Sequence, residues 1–182
     1  VYYKANGGTV ANKTSNGKTY YHKLTDDYII RSTNSAETER FVHKWTFNSA
    51  QTDGLVNADT FGLSRTGYTF KGWNTKADGT GTHYGQDDGS ILPTGLNSGI
   101  NSGNVTLTLY AEWTVNTLNV YYKANGGTVV NTQTHYHKLT DDYIIHSTNS
   151  AETERFAHKW TFNNAQADGL YNASTFGLSR TG

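Results

Sequence analysis

The decapeptide Val1-Tyr2-Tyr3-Lys4-Ala5-Asn6-Gly7-Gly8-Thr9-Val10 returns letter for letter at Val120–Val129. A self-repeat of that fidelity constrains the fold before any single residue does, because both copies must settle into the same structure. After a four-residue deletion in the second copy, His22–Gly67 aligns with His137–Gly182 and differs at six positions. These are Arg31 against His146, Val42 against Ala157, Ser49 against Asn164, Thr52 against Ala167, Val56 against Tyr171 and Asp59 against Ser174. The first copy runs on through Tyr68–Thr114, whereas the second stops at Gly182. The expected organisation is a complete repeat unit over 1–114, a linker over 115–119, and the N-terminal part of a second, truncated unit over 120–182. Half a unit has buried faces to cover, and the first unit, a neighbouring molecule or further chain is expected to cover them.

Leu, Ile, Val and Phe number only 33 of 182 residues, which on its own points towards disorder. The 13 Tyr and 4 Trp supply the missing apolar surface, so the expectation is a folded, aromatic-cored, β-rich chain. Fifteen basic residues balance fifteen acidic ones at formal net charge zero, which disfavours nucleic acid and anionic membranes as partners. Without cysteine there are no disulfides, no thiolate chemistry and no Cys-based zinc site. No apolar run reaches the roughly 18 residues of a bilayer span, so no membrane insertion is expected. With no initiator Met and no charged, apolar leader, residue 1 is expected to lie inside a longer precursor or to follow a cleaved segment.

Turn chemistry and alternation give a coarse element map. Val1–Lys4 reads as a strand entering a hairpin at Asn6-Gly7, a pair suited to a type I′ turn, and Asn16-Gly17 marks a second such turn, absent from the second copy. Tyr20–Leu24 and Tyr28–Arg31 read as strands separated by Asp26-Asp27. Asn34–Glu39 reads as a helix start, with Glu37 and Glu39 complementing the helix dipole. Phe41, His43, Trp45 and Phe47 alternate, predicting a strand over 41–47, as do Tyr68–Trp73 and Val105–Trp113. The Gly-rich stretch 77–103 reads as loop.

The string Ser64-Arg65-Thr66-Gly67-Tyr68-Thr69-Phe70-Lys71-Gly72-Trp73-Asn74-Thr75, with Asp78-Gly79 after it and Leu107-Thr108-Leu109-Tyr110-Ala111-Glu112-Trp113-Thr114 at the end, resembles the Listeria–Bacteroides repeat, or internalin B-type repeat, of bacterial surface proteins. The opening Val-Tyr-Tyr-Lys-Ala-Asn-Gly-Gly-Thr-Val is similar to that family's first strand and turn. The resemblance implies an α+β, β-rich chain of tandem β-grasp (ubiquitin-like) units, with Tyr68, Phe70, Trp73, Leu107, Leu109 and Trp113 in or near the core. It also implies an extracellular, secreted or cell-surface location and a role as adhesive stalk or spacer, with no shared catalytic residues.

Candidate chemistry is sparse. His135-Tyr136-His137 puts two imidazoles on one strand face, a spacing that holds Zn²⁺ or Cu²⁺ when a third ligand arrives, but Tyr20 replaces His135 in the first copy. His22/His137 and His43/His158 recur without a nucleophile or carboxylate at motif spacing. Asp26-Asp27 and Asp141-Asp142 are neighbours in turns, not acids facing one bond across a cleft. Asp78-Gly79 and Asp87-Asp88-Gly89 lack the spacing of a calcium loop, and Gly7-Gly8 lacks the Lys-Ser/Thr of a phosphate loop. Trp45, Trp73, Tyr84 and Tyr171 compete between core packing and a stacking platform for sugar rings. The tryptophans favour the core, leaving Tyr84 and Tyr171 as the ligand-stacking candidates.

The expectation is therefore a non-enzyme without cofactor, catalytic residue or resident metal. Its partners are neighbouring repeats, with possible self-association and a host or glycan surface ligand. The alternatives are a filament or matrix subunit completed by strand donation between chains, and a carbohydrate-binding module.

Overall fold

Short alternating segments punctuated by Asn-Gly, Asp-Asp and Gly residues build strands and tight turns. The computed structural model describes residues 1–44, 54–85, 106–162 and 169–182. Two compact units result, Val1–Val115 and Asn116–Gly182.

The first unit holds β1 (Tyr2–Lys4), β2 (Lys13–Ser15), β3 (Lys18–Thr25), β4 (Tyr28–Ser32), β5 (Tyr68–Asn74), β6 (His83–Gly85) and β7 (Thr108–Val115). They form one sheet in the order β2-β3-β4-β1-β7-β5-β6. Most pairs are antiparallel, but β1 and β7 run parallel, with Tyr3 opposite Leu109. The unit's first strand is thus completed by its last. Asn16 and Gly17, at φ 50° and 72°, turn β2 into β3, and Asp26 and Asp27, at φ 50° and 66°, turn β3 into β4. These adjacent acids are turn residues whose short polar side chains tolerate the left-handed region. A bulge interrupts β5 between Phe70 and Gly72. Gly72 sits at φ +145°, where a Cβ would lie 2.1 Å from the Tyr84 carbonyl oxygen, so only glycine lets β6 approach.

Tyr3, Ile29, Phe61, Trp73 and Leu109 are buried in one core, with Ala5 and Ala111 where the backbones crowd. The aromatic rings meet edge-on, Tyr3 with Trp73 at 4.8 Å and Phe41 with Phe61 at 5.4 Å, contacts that each add ~0.5–1.5 kcal/mol to area burial. Both indoles are tied down, Trp73 Nε1 donating to the Val56 carbonyl at 2.8 Å and Trp113 Nε1 to that of Ala5 at 3.1 Å. Phe70, Leu107 and Trp113 pack partly buried around this core.

The second unit holds β8 (Thr117–Tyr121), β9 (Tyr136–Thr140), β10 (Tyr143–Ser147) and β11 (Ala157–Thr161). β9 pairs with β10 and β8 with β11, both antiparallel. The strand expected over 41–47 appears here in its second-copy counterpart, β11. In the first copy, Val1 and His43 exchange backbone bonds of 2.7 and 3.0 Å, the register that Val120 and His158 keep in β8 and β11. Residues 45–47 lie outside the described residues. Of 115–119, read as a linker, Val115 ends β7 and 117–119 belong to β8.

Four expectations are overturned. The fold is β-rich and not α+β: among the described residues there is no α-helix, only 3-10 turns at Asp59–Phe61 and Ala173–Phe176. The β-grasp expectation, which needs a helix on the sheet, falls with it. Asn34–Glu39 fails as a helix start because its side chains satisfy the backbone locally. Asn34 Oδ1 accepts from the Ala36 amide, and Glu37 Oε1 accepts from the amides of Thr38 and Glu39. Ser32 Oγ adds a bond to the Asn34 carbonyl. Asn149 and Glu152 repeat this arrangement. The Asn6-Gly7 turn forms as expected, at φ 49° and 82°, yet it makes no hairpin. The chain leaves it to bridge Thr9 to Ser64.

Candidate functional site

The two copies share one hydrogen-bond framework. In the first, the His22 amide donates to Asn12 Oδ1 at 2.9 Å and its ring Nδ1 contacts the Ala11 carbonyl at 2.8 Å. In the second, His137 does the same with Asn131 and Val130, each at 2.8 Å. Tyr3 Oη meets His43 Nδ1 at 3.1 Å and accepts the Val56 amide. Tyr122, His158 and Tyr171 reproduce that triangle. The recurring histidines are thus pins between backbone segments.

Among the places where the copies diverge, one concentrates chemistry. His22 pairs across the ladder with Arg31, whose guanidinium carbon lies 3.9 Å from the centre of the Tyr20 ring. The second copy replaces both members of this cation–π pair. His135 stands for Tyr20 and His146 for Arg31, and their rings stack at 4.2 Å with 15° between planes. His137, directly opposite His146 on β9, lies 4.8 Å from it at 26°. His137 Nε2 and His146 Nδ1 are 2.6 Å apart.

The proton positions follow from the acceptors. A carbonyl only accepts, so His137 Nδ1 carries the hydrogen given to Val130 and the neutral ring's Nε2 is a lone pair. His146 Nδ1 must then be the donor to it. In the first copy the corresponding atom, His22 Nε2, is buried with no hydrogen-bond partner. Burial lowers the His146 pKa below the ordinary imidazole value, and His135 and His137 lower it further. Phe156 and Phe176 meet the His146 ring edge-on at 5.0 and 5.7 Å, with Tyr171 at 6.5 Å.

His135 and His137, singled out from spacing, are therefore brought together, and the third imidazole is His146. No motif pointed to it, but its signal was readable. Two changes between the copies fall on residues that a hairpin turning at Asp26-Asp27 sets diagonally across the ladder. Among the described residues, no three His, Asp or Glu side chains are placed to hold one metal ion.

The stacking candidates sit apart from this column or at its margin. Tyr84, on β6 opposite Trp73, packs partly buried against the first core, and burial pushes its phenol pKa up. Tyr171 is 39% exposed, with its ring 4.7 Å from His158 and 5.2 Å from Phe156. Trp73 is core, and Trp45 lies outside the described residues, as do Asp87 and Asp88. Asp78 Oδ1 is engaged by the Thr80 amide and hydroxyl, which lower its pKa. Glu112, 15% exposed on β7, gathers Lys71 Nζ at 2.6 Å, His83 Nδ1 at 2.7 Å and Asn74 Nδ2 at 3.2 Å. Burial opposes its ionisation, but these three donors outweigh it and hold the carboxyl at about 2.

No family model and no solved structure matches the chain. A protein described as a putative Gly-rich membrane protein of Evansella cellulosilytica is 38% identical over 72 residues. The match takes in 40% of this chain and 7% of that protein, so the chain spans only a small fraction of the relative's length.

Proposed function

We propose that the chain is a non-catalytic stretch of tandem repeat that serves as a stalk or spacer in a bacterial surface or secreted protein. One observation carries the reading. The same pins and turns recur in both units, down to the Tyr3–His43–Val56 and Tyr122–His158–Tyr171 triangles, and only Asn116 separates the last strand of one unit from the first of the next. The resemblance of residues 64–75 and 107–114 to the Listeria–Bacteroides repeat agrees with it. So does a relative in which the matching stretch is a small part of a much longer polypeptide.

A second reading, completion by strand exchange, is favoured by a specific difference between the units. Tyr2 and Leu55 are partly buried in the first, while their counterparts Tyr121 and Leu170 are 50% and 65% exposed. In the first unit β7 pairs along the edge of β1 that carries Tyr2, with β5 next in the sheet. Strands of that kind would fit the second unit whether they follow in the same polypeptide or come from another.

Light scattering on the 182-residue chain across a concentration series separates the two. A spacer stays monomeric from about 1 to 100 μM, and its two units unfold separately. Mass that climbs with concentration, together with protection of Tyr121–Lys123 amides, would replace it with strand exchange.

A further inference from the structure

The three imidazoles of the second unit form a cluster that a spacer role does not use. We propose that His135, His137 and His146 form a proton-operated latch, present in the second unit and absent from the first, that loosens the β9–β10 hairpin as the pH falls below neutrality.

The bond between His146 Nδ1 and His137 Nε2, at 2.6 Å, exists only while one of the two facing nitrogens is free of hydrogen. One added proton leaves one N–H···N bond, because His146 can shift its hydrogen to Nε2 and accept from His137; with both rings protonated, a donor faces a donor and the bond is lost. A proton on His146 Nε2 keeps the bond but places a cation 4.2 Å from the His135 ring and 4.8 Å from His137. Either way the column tolerates at most one added charge without like-charge repulsion at contact distance.

Among the described residues, the surroundings offer little to neutralise it. Phe156, Phe176 and Tyr171 present rings from the segments packed on His146, with the His158 imidazole behind Tyr171. Lys138 and Glu152 line a hollow shared with His137. The Glu152 carboxylate accepts from the Thr153 and Glu154 amides, and Lys138 Nζ donates to the Ser150 carbonyl at 3.3 Å. In the first unit the fixed charge of the Arg31 guanidinium rests on the Tyr20 ring. The substitutions therefore exchange a permanent cation–π contact for a titrating one. The inference rests on this column and is independent of the spacer reading.

The test uses the 182-residue chain and amide hydrogen exchange, read as protection factors at pH 7.5 and 5.0. Lys138, Ile144 and Ile145 in the second unit are compared with Lys23, Ile29 and Ile30 in the first. A group with a lowered folded pKa stabilises the fold above its unfolded pKa, here about 6.5, and that contribution disappears below it. His22 takes up its own proton on opening over the same range, so the second-unit amides should lose more protection than the first-unit set only by what His135 and His146 add, about tenfold for one extra proton across one pH unit. The double replacement His135→Tyr, His146→Arg should bring the two sets level. Equal loss in both units, or an excess that survives the replacement, overturns the latch.

If the double variant does not fold, imidazole titration by NMR on the unaltered chain decides. Staggered titration, with His146 protonating below 6.5, upholds the latch, and three independent curves near 6.5 refute it. Both experiments are run with and without EDTA, and with added Zn²⁺. A titration that EDTA alters would show a bound metal in place of a proton switch.

Discussion

Glu112 shows how one carboxylate is made permanent. Lys71, His83 and Asn74 converge on it from β5 and β6, and their hydrogen bonds overcome the cost of burial. Its folded pKa of about 2 lies below the unfolded value near 4.5, so the stabilisation is complete above pH 4.5 and vanishes as the pH falls towards 2. Glu112→Gln should leave unfolding of the first unit insensitive to pH in that window, apart from the remaining acids. Trp73 and Trp113 fluorescence in urea at pH 2.5, 3.5 and 5 reads it. A Gln variant whose midpoint falls as steeply as that of the unaltered chain would remove Glu112 from this role. His22 works in the opposite range. Burial depresses its imidazole, the Ala11 carbonyl counters this, and Arg31 and Lys13 depress it further, so its contribution fades only below the ordinary histidine pKa.

Elements were legible where local chemistry and tertiary pairing agreed. Asn16-Gly17 and Asp26-Asp27 set their turns, and the alternation of Leu107, Leu109, Ala111 and Trp113 marked β7, because a period of two needs only one buried face. Where long-range pairing decides, reading from sequence failed. Asn6-Gly7 has the dihedrals of a hairpin turn, but Ser64, 55 residues on, supplies the partner for Thr9. Acids after Asn34 resemble a first helical turn, and only the structure shows them spent on their own amides. His146 escaped notice because a site built across a ladder has no sequence spacing of its own. The repeat also identifies what is dispensable. Asn131 and His137 make the same contacts as Asn12 and His22 across a connection four residues shorter. Deleting Thr14–Gly17 should therefore leave the first unit folded, with its denaturation midpoint moved by less than ~1 kcal/mol equivalent. Loss of cooperative unfolding in that variant would make β2 and β3 an essential support.

At the scale of the molecule, the parallel pair of β1 and β7 ties residue 3 to residue 109. Such closure is slow to form, because a long loop must be immobilised before it is rewarded. Two nearly identical front halves raise a problem of choice during folding, since β7 faces one acceptor strand behind it in the chain and a near copy at Tyr121–Lys123 just ahead. Connection length resolves it. Parallel neighbours need a crossover of about a dozen residues, and only five separate Val115 from Tyr121. Inserting about twelve Gly/Ser residues after Asn116 should let refolded chains divide into two slowly exchanging populations, seen as doubled Trp113 indole resonances. A single resonance set would mean that something other than reach selects the partner. The short joint thus acts as a proofreader, excluding the wrong mate by geometry alone, and it lets a polypeptide repeat itself almost verbatim without its parts being mistaken for one another.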